Sequence, residues 1–145
     1  MKRWLLAFLA MFGADVVNAD PVTLKRGQVW TFAGAPSETA RIIIGDVEPF
    51  GQEGDVAVSV SILGLPEQVT ANGHHVGGVM YHLPFSEPAL RSVLLELVAE
   101  DEPLPDGYGE GYAMWKEAVG RGEAGIFTIT PADILENVVG KIVGK

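Results

Sequence analysis

The chain has 145 residues, 48% of them hydrophobic and 20% charged, with no cysteine and a formal net charge of −9. That length suits one globular domain. The missing cysteine excludes a disulfide scaffold, a thiolate zinc site and a cysteine nucleophile, and the acidity excludes the basic face that a nucleic-acid binder needs.

Lys2 and Arg3 precede an uncharged apolar run, Trp4 to Phe12, and a polar stretch ending Val17-Asn18-Ala19. This order of charge, apolar core and small residues predicts a secretory signal peptide, residues 1–19, cleaved after Ala19. The apolar run is well short of the ~20 residues a membrane span needs, and Asp15 blocks its extension. One domain, residues 20–145, is expected, located in the periplasm or secreted, with no membrane span in the mature chain. Cleavage would remove two basic residues and one acidic residue, leaving the mature chain one charge more negative.

The mature part opens with short β-type segments. Gln28 to Ala33 carries Trp30 and Phe32, and Gly34-Ala35-Pro36-Ser37 punctuates it. Ala40 to Glu48 follows, its three isoleucines pointing to a buried strand. Asp55 to Ile62 alternates strictly: Val56, Val58, Val60 and Ile62 fall on one face, Ala57, Ser59 and Ser61 on the other. This pattern predicts an apolar face inward and a small polar face outward. Asn72-Gly73 suits a type I′ hairpin turn pairing Glu67–Ala71 with a strand from His74 to about Leu83.

The period then changes. Ser86 can cap a helix from Glu87 to about Ala99, with Leu90, Val93, Leu94, Leu97 and Val98 as its apolar stripe. Pro103 and Pro105 stop it. A loop, Leu104 to Gly111, leads to a helix around Tyr112–Val119, whose Tyr112, Trp115 and Val119 read as an inward face. A β-type run, Ile126–Ile129, precedes a last helix with Thr130 as N-cap and Pro131 at its first position. Ile134, Leu135, Val138, Val139 and Ile142 form its expected buried stripe. The fold class expected is α+β: a small antiparallel sheet or partly open barrel from the N-terminal two-thirds, packed on one side against C-terminal helices.

Chemistry-bearing residues are sparse. His74, His75 and His82 are the only histidines. On one extended strand His74 and His75 point to opposite faces, and His74 and His82 lie roughly 26 Å apart. Only a break at Gly77-Gly78 would bring them to one metal ion. No G-x-S-x-G elbow marks a serine nucleophile, and Ser86 is explained as a helix cap. Glu100-Asp101-Glu102, Asp106 and Glu110 lie around a loop that also holds Tyr108, Tyr112 and Trp115. Paired carboxylates beside aromatic rings are the equipment of glycosidases, and also of a solvated acidic loop. The segment Asp106–Tyr112 is glycine-rich but lacks the lysine of a phosphate cradle.

Gly27-Gln28-Val29-Trp30, His82-Leu83-Pro84-Phe85 entering the Ser86 cap, Glu110-Gly111-Tyr112-Ala113-Met114-Trp115 and Gly125-Ile126-Phe127 together resemble a group of short exported bacterial proteins with no assigned activity. The resemblance covers most of the mature chain and implies no functional residue. The reading from the residues is a soluble acidic domain acting as a non-catalytic binding or accessory protein in the cell envelope. Its expected partner is a cationic envelope protein or peptide, met at Glu100, Asp101, Glu102, Asp106, Tyr108 and Glu110. No cofactor is expected. Two alternatives stay open: a small hydrolase using carboxylates near residues 100–110, and a metal-binding module using the histidines.

Overall fold

The computed structural model describes residues 22–66, 68–69, 75–76 and 78–142. The expected leader, the Asn72-Gly73 turn and His74 lie outside them. The elements are β1 (Val29–Phe32), β2 (Arg41–Phe50), β3 (Asp55–Leu63), β4 (Gln68–Val69), β5 (His75–Val76), β6 (Met80–Ser86), α1 (Glu87–Arg91), β7 (Leu94–Ala99), α2 (Tyr108–Gly120) and α3 (Pro131–Ile142). Five strands form an open antiparallel sheet in the order β6-β3-β2-β1-β7, and β4 pairs with β5 separately. The protein has an α+β fold.

Register explains which residues meet. Ile42 faces Ile62 and Ile44 faces Val60 across β2 and β3; Leu83 faces Val60, and Trp30 faces Ile42. These residues share one face, and Leu90 of α1 with Ile134 and Leu135 of α3 closes over the core there. Each buried aliphatic side chain contributes roughly 1.5–3 kcal/mol. The α3 start is a reciprocal cap: Asp133 N–H donates to Thr130 Oγ1 (3.2 Å) and Thr130 N–H to Asp133 Oδ2 (3.3 Å). The side chains of Val138, Val139 and Ile142 are outside the described set.

The sequence expectation for β3 holds on one face and fails on the other. Val58, Val60 and Ile62 are buried as expected, but Ser59 and Ser61 are also fully buried. The reason is α2, which covers the second face, so helices flank both faces of the sheet rather than one. Ser61 Oγ donates to the Tyr81 carbonyl (2.7 Å), and Ser59 Oγ meets His82 Nε2 (2.9 Å).

The expected helix from Glu87 to Ala99 is also corrected. Ser86 does cap a helix, accepting from Ala89 N–H (3.3 Å), but the helix ends at Arg91. Residues 94–99 are an edge strand on β1. Its register slips twice: Val29, Trp30 and Phe32 face Ala99, Leu97 and Leu94. One extra residue is thus inserted at each step, which sets Leu94 and Leu97 three apart on the core side and leaves Leu95 and Val98 exposed. On the other edge, β6 tolerates Pro84, and Phe127 forms a single parallel bridge to Phe85.

Candidate functional site

Two single-residue insertions aim polar groups at α2. Ile44 pairs with Val60 and Val47 with Val58, so Gly45 and Asp46 together oppose Ser59. Val60 pairs with Leu83 and Ile62 with Met80, so Tyr81 and His82 together oppose Ser61. Such bulges bend a strand and redirect its side chains. Gly45 is needed at the first one, because a Cβ there would land on the Tyr108 hydroxyl.

Tyr108 is the centre of the seam between β2 and α2. It is 2% exposed. Its hydroxyl donates to Asp46 Oδ2 (2.8 Å) and accepts from Asp46 N–H (2.9 Å). Burial pushes its pKa well up. One helical turn on, Tyr112 donates to Glu48 Oε2 (2.8 Å), and burial together with that carboxylate pushes its pKa up to about 12. The two rings stack with centroids 5.9 Å apart. Arg26 pairs with Asp46 (3.1 Å) and Lys116 with Glu48 (2.6 Å). Two units of cation, carboxylate and tyrosine thus lie side by side along the seam and fasten α2 to the sheet.

His82 packs under the same helix, with Tyr108, Tyr112 and Trp115 rings at 5.4–5.7 Å. Burial lowers its pKa below the usual 6.5, against a smaller opposing pull from Asp46 and Glu48. The Ser59–His82 distance of 2.9 Å is that of a nucleophile and its base. Burial opposes that role, because Ser59 is fully buried and out of a substrate's reach.

The acidic residues singled out from sequence sit at the N-terminal end of α2. Glu102 N–H donates to the Gly27 carbonyl (3.0 Å), extending the β1–β7 pairing into the loop. That approach requires glycine: Gly27 has φ +94°, and a Cβ on it would lie 3.0 Å from Asp101 Cα. Asp101 itself has φ +58°, the left-handed region that aspartate tolerates better than most residues. The chain then turns through Pro103 and Pro105 into α2. The expected loop 104–111 is shorter than the sequence suggested, because the helix starts at Tyr108. Gly107 lies against the Tyr81 ring and Gly111 against His82 Cβ, where side chains would collide.

A groove of about 610 Å3 lies along this turn, with Asp101, Glu102, Asp106 and Arg26 among its lining residues. Arg26 is its one basic lining residue and already bonds Asp46. Among the described residues, Asp101, Glu102 and Asp106 have no salt-bridge partner. Tyr108 also borders the groove, with its hydroxyl turned inward to Asp46. Glu100 and Glu110 are exposed but outside the groove lining. Glu110, in the first turn of α2, faces the positive end of the helix dipole. No three or more His, Asp or Glu side chains among the described residues could hold one metal ion. The three groove carboxylates therefore do not converge on one ion.

Asp46, Ser59 and His82 were not singled out together from sequence. The available signal was Gly45-Asp46 inside a run of isoleucines, since a glycine within a strand marks a bulge or a close approach. No helix among the described residues is long and apolar enough to cross a membrane. Comparison with protein-family models, curated proteins and solved structures finds no match.

Proposed function

We propose that the protein is an exported, non-catalytic binding domain of the cell envelope whose acidic groove takes a cationic protein or peptide. The observation that carries this reading is the set of three carboxylates, Asp101, Glu102 and Asp106, that line one groove and have no salt-bridge partner among the described residues. Carboxylates accept hydrogen bonds and donate none, so their complement is a row of lysine or arginine donors. Carboxylates that do not converge on one ion suit a partner with several cationic groups. The leader-like segment 1–19 and the resemblance to short exported proteins support the location.

Capture from envelope extract on the immobilised mature chain tests the reading. A basic protein or peptide retained at low salt and released at high salt is the expected result. Retention of only neutral or acidic species, or retention indifferent to salt, would contradict it. Intact-mass analysis of envelope-recovered protein should show a chain beginning at Asp20; a full-length mass there would remove the export half of the proposal.

A further inference from the structure

The groove that carries three carboxylates also holds a guanidinium, and the fold keeps the two kinds of charge apart. The Gly27 carbonyl accepts from Glu102 N–H (3.0 Å), so the segment carrying Arg26 runs directly beside the one carrying Asp101 and Glu102. Arg26 nevertheless pairs with none of the three groove carboxylates. Its Nη1 bonds Asp46 Oδ2 (3.1 Å), and its guanidinium carbon lies 5.6 Å from the centroid of the Tyr108 ring.

A guanidinium is a flat fork of N–H donors with no acceptor. The bond to Asp46 is the one hydrogen bond that the Arg26 side chain makes among the described residues, and that side chain is 59% exposed on the groove wall. Asp46 offsets the charge of Arg26, so what Arg26 offers is its remaining donors rather than a net positive field. The groove thus presents acceptors at Asp101, Glu102 and Asp106 and donors at Arg26. A purely cationic ligand answers only the acceptors. A ligand with a carboxylate beside its cationic group answers both, because a carboxylate matches the guanidinium fork. In a polypeptide, a carboxylate and a basic side chain sit on the same residue only at a C-terminal lysine or arginine. The groove volume, about 610 Å3, falls inside the roughly 300–1,000 Å3 range of sites that enclose small ligands.

We propose that the groove binds the C-terminal end of a basic chain, its α-carboxylate on Arg26 and its lysine or arginine side chain among Asp101, Glu102 and Asp106. This rests on the reading of the groove as the site for a cationic protein or peptide, and it narrows that partner to chains ending in a basic residue.

Acetyl-trilysine, made once with a free C-terminal carboxylate and once as the C-terminal amide, tests it. The amide is the more cationic of the two, so attraction by net charge alone makes it the tighter ligand of an acidic chain. The proposal predicts the opposite order. The free acid should bind about fivefold more tightly, the factor for one exposed charge-assisted contact. Each peptide is titrated into the chain by NMR at low and high salt, and the amides of Asp101, Glu102 and Asp106 should shift saturably. On Arg26→Gln, whose amide spectrum shows whether it is folded, the order should invert. An amide that binds the unaltered chain as tightly as the acid or more so, with the salt dependence kept, would overturn the proposal and leave the cationic groove standing. A free acid that stays the tighter ligand on folded Arg26→Gln would overturn it too. Failure of both peptides to bind, or binding indifferent to salt, would remove the proposal and the groove reading together.

Discussion

Replacing Tyr108 and Tyr112 separately by phenylalanine tests the seam between α2 and the sheet. Both substitutions keep the stacked rings and remove one hydroxyl. The Tyr108 hydroxyl makes two bonds: to Asp46 Oδ2 and from Asp46 N–H. Its loss leaves the Asp46 backbone N–H without its partner. A typical hydrogen bond contributes about 1 kcal/mol net, more when the acceptor is charged, and a stranded buried group costs about 1–3 kcal/mol. Asp46 is partly solvated and keeps Arg26, which reduces the charged contribution. Tyr108→Phe should therefore cost about 3 kcal/mol. Tyr112 makes one bond, to a Glu48 that retains Lys116, so Tyr112→Phe should cost about 1 kcal/mol. Urea unfolding followed by circular dichroism measures both. The midpoint should fall about three times as far for Tyr108→Phe, with an unchanged slope against urea. Equal losses, or a larger loss at Tyr112, would refute Tyr108 as the main fastening of α2 to the sheet.

Stability should also depend on pH through His82. Its folded pKa is lowered by burial, so between that value and about 6.5 the unfolded chain binds more protons than the folded one. The contribution is full above about 6.5 and is lost as pH falls through that region, and thermal melts from pH 8 to 5 should show a decline that His82→Gln flattens. Gly45→Ala should destabilise by about 2–3 kcal/mol through its collision with Tyr108. Gly109→Ala meets open space inside α2 and should stabilise by about 0.5–1 kcal/mol; chemical denaturation distinguishes the two signs. Val58→Asp should unfold the domain, and Ser59→Asp should be comparably severe, because each puts a carboxylate at a fully buried position; a mild Ser59→Asp melt would mean that face is open to solvent.

The alternation of β3 reported its strand and its apolar face correctly, because period two is a direct consequence of pleating. The same pattern could not report the other face. Ser59 and Ser61 look alike whether they meet water or are covered, with the His82 imidazole and the Tyr81 carbonyl of β6 as their partners. The residues 87–99 misled for a different reason. A bulged strand repeats its buried positions every three residues, as Leu94 and Leu97 do against Phe32 and Trp30, and this imitates a helical stripe. Leucine, favoured in helices, reinforces the imitation. The start of α2 was hidden by Gly107, Gly109 and Gly111, poor helix formers. Two of them are there for close contact with Tyr81 and His82, a tertiary demand that no local pattern carries. The acidic stretch was legible as charge. Its division into groove carboxylates, at Asp101, Glu102 and Asp106, and exposed neighbours, at Glu100 and Glu110, depends on Gly27 drawing the loop against β1.

The groove is tested most directly by moving the same charge change about the surface. In one variant Asp101, Glu102 and Asp106 become Asn, Gln and Asn. In the other, the exposed Glu38, Glu53 and Asp55 become Gln, Gln and Asn. Both variants lose three negative charges. Binding kinetics with a lysine-rich peptide at low and high salt are then compared with the unaltered chain. The groove variant should slow association several-fold at low salt and weaken affinity roughly tenfold, while the control variant changes both much less. Equal effects from the two variants would show that net charge alone attracts the peptide, and would contradict a binding site in the groove.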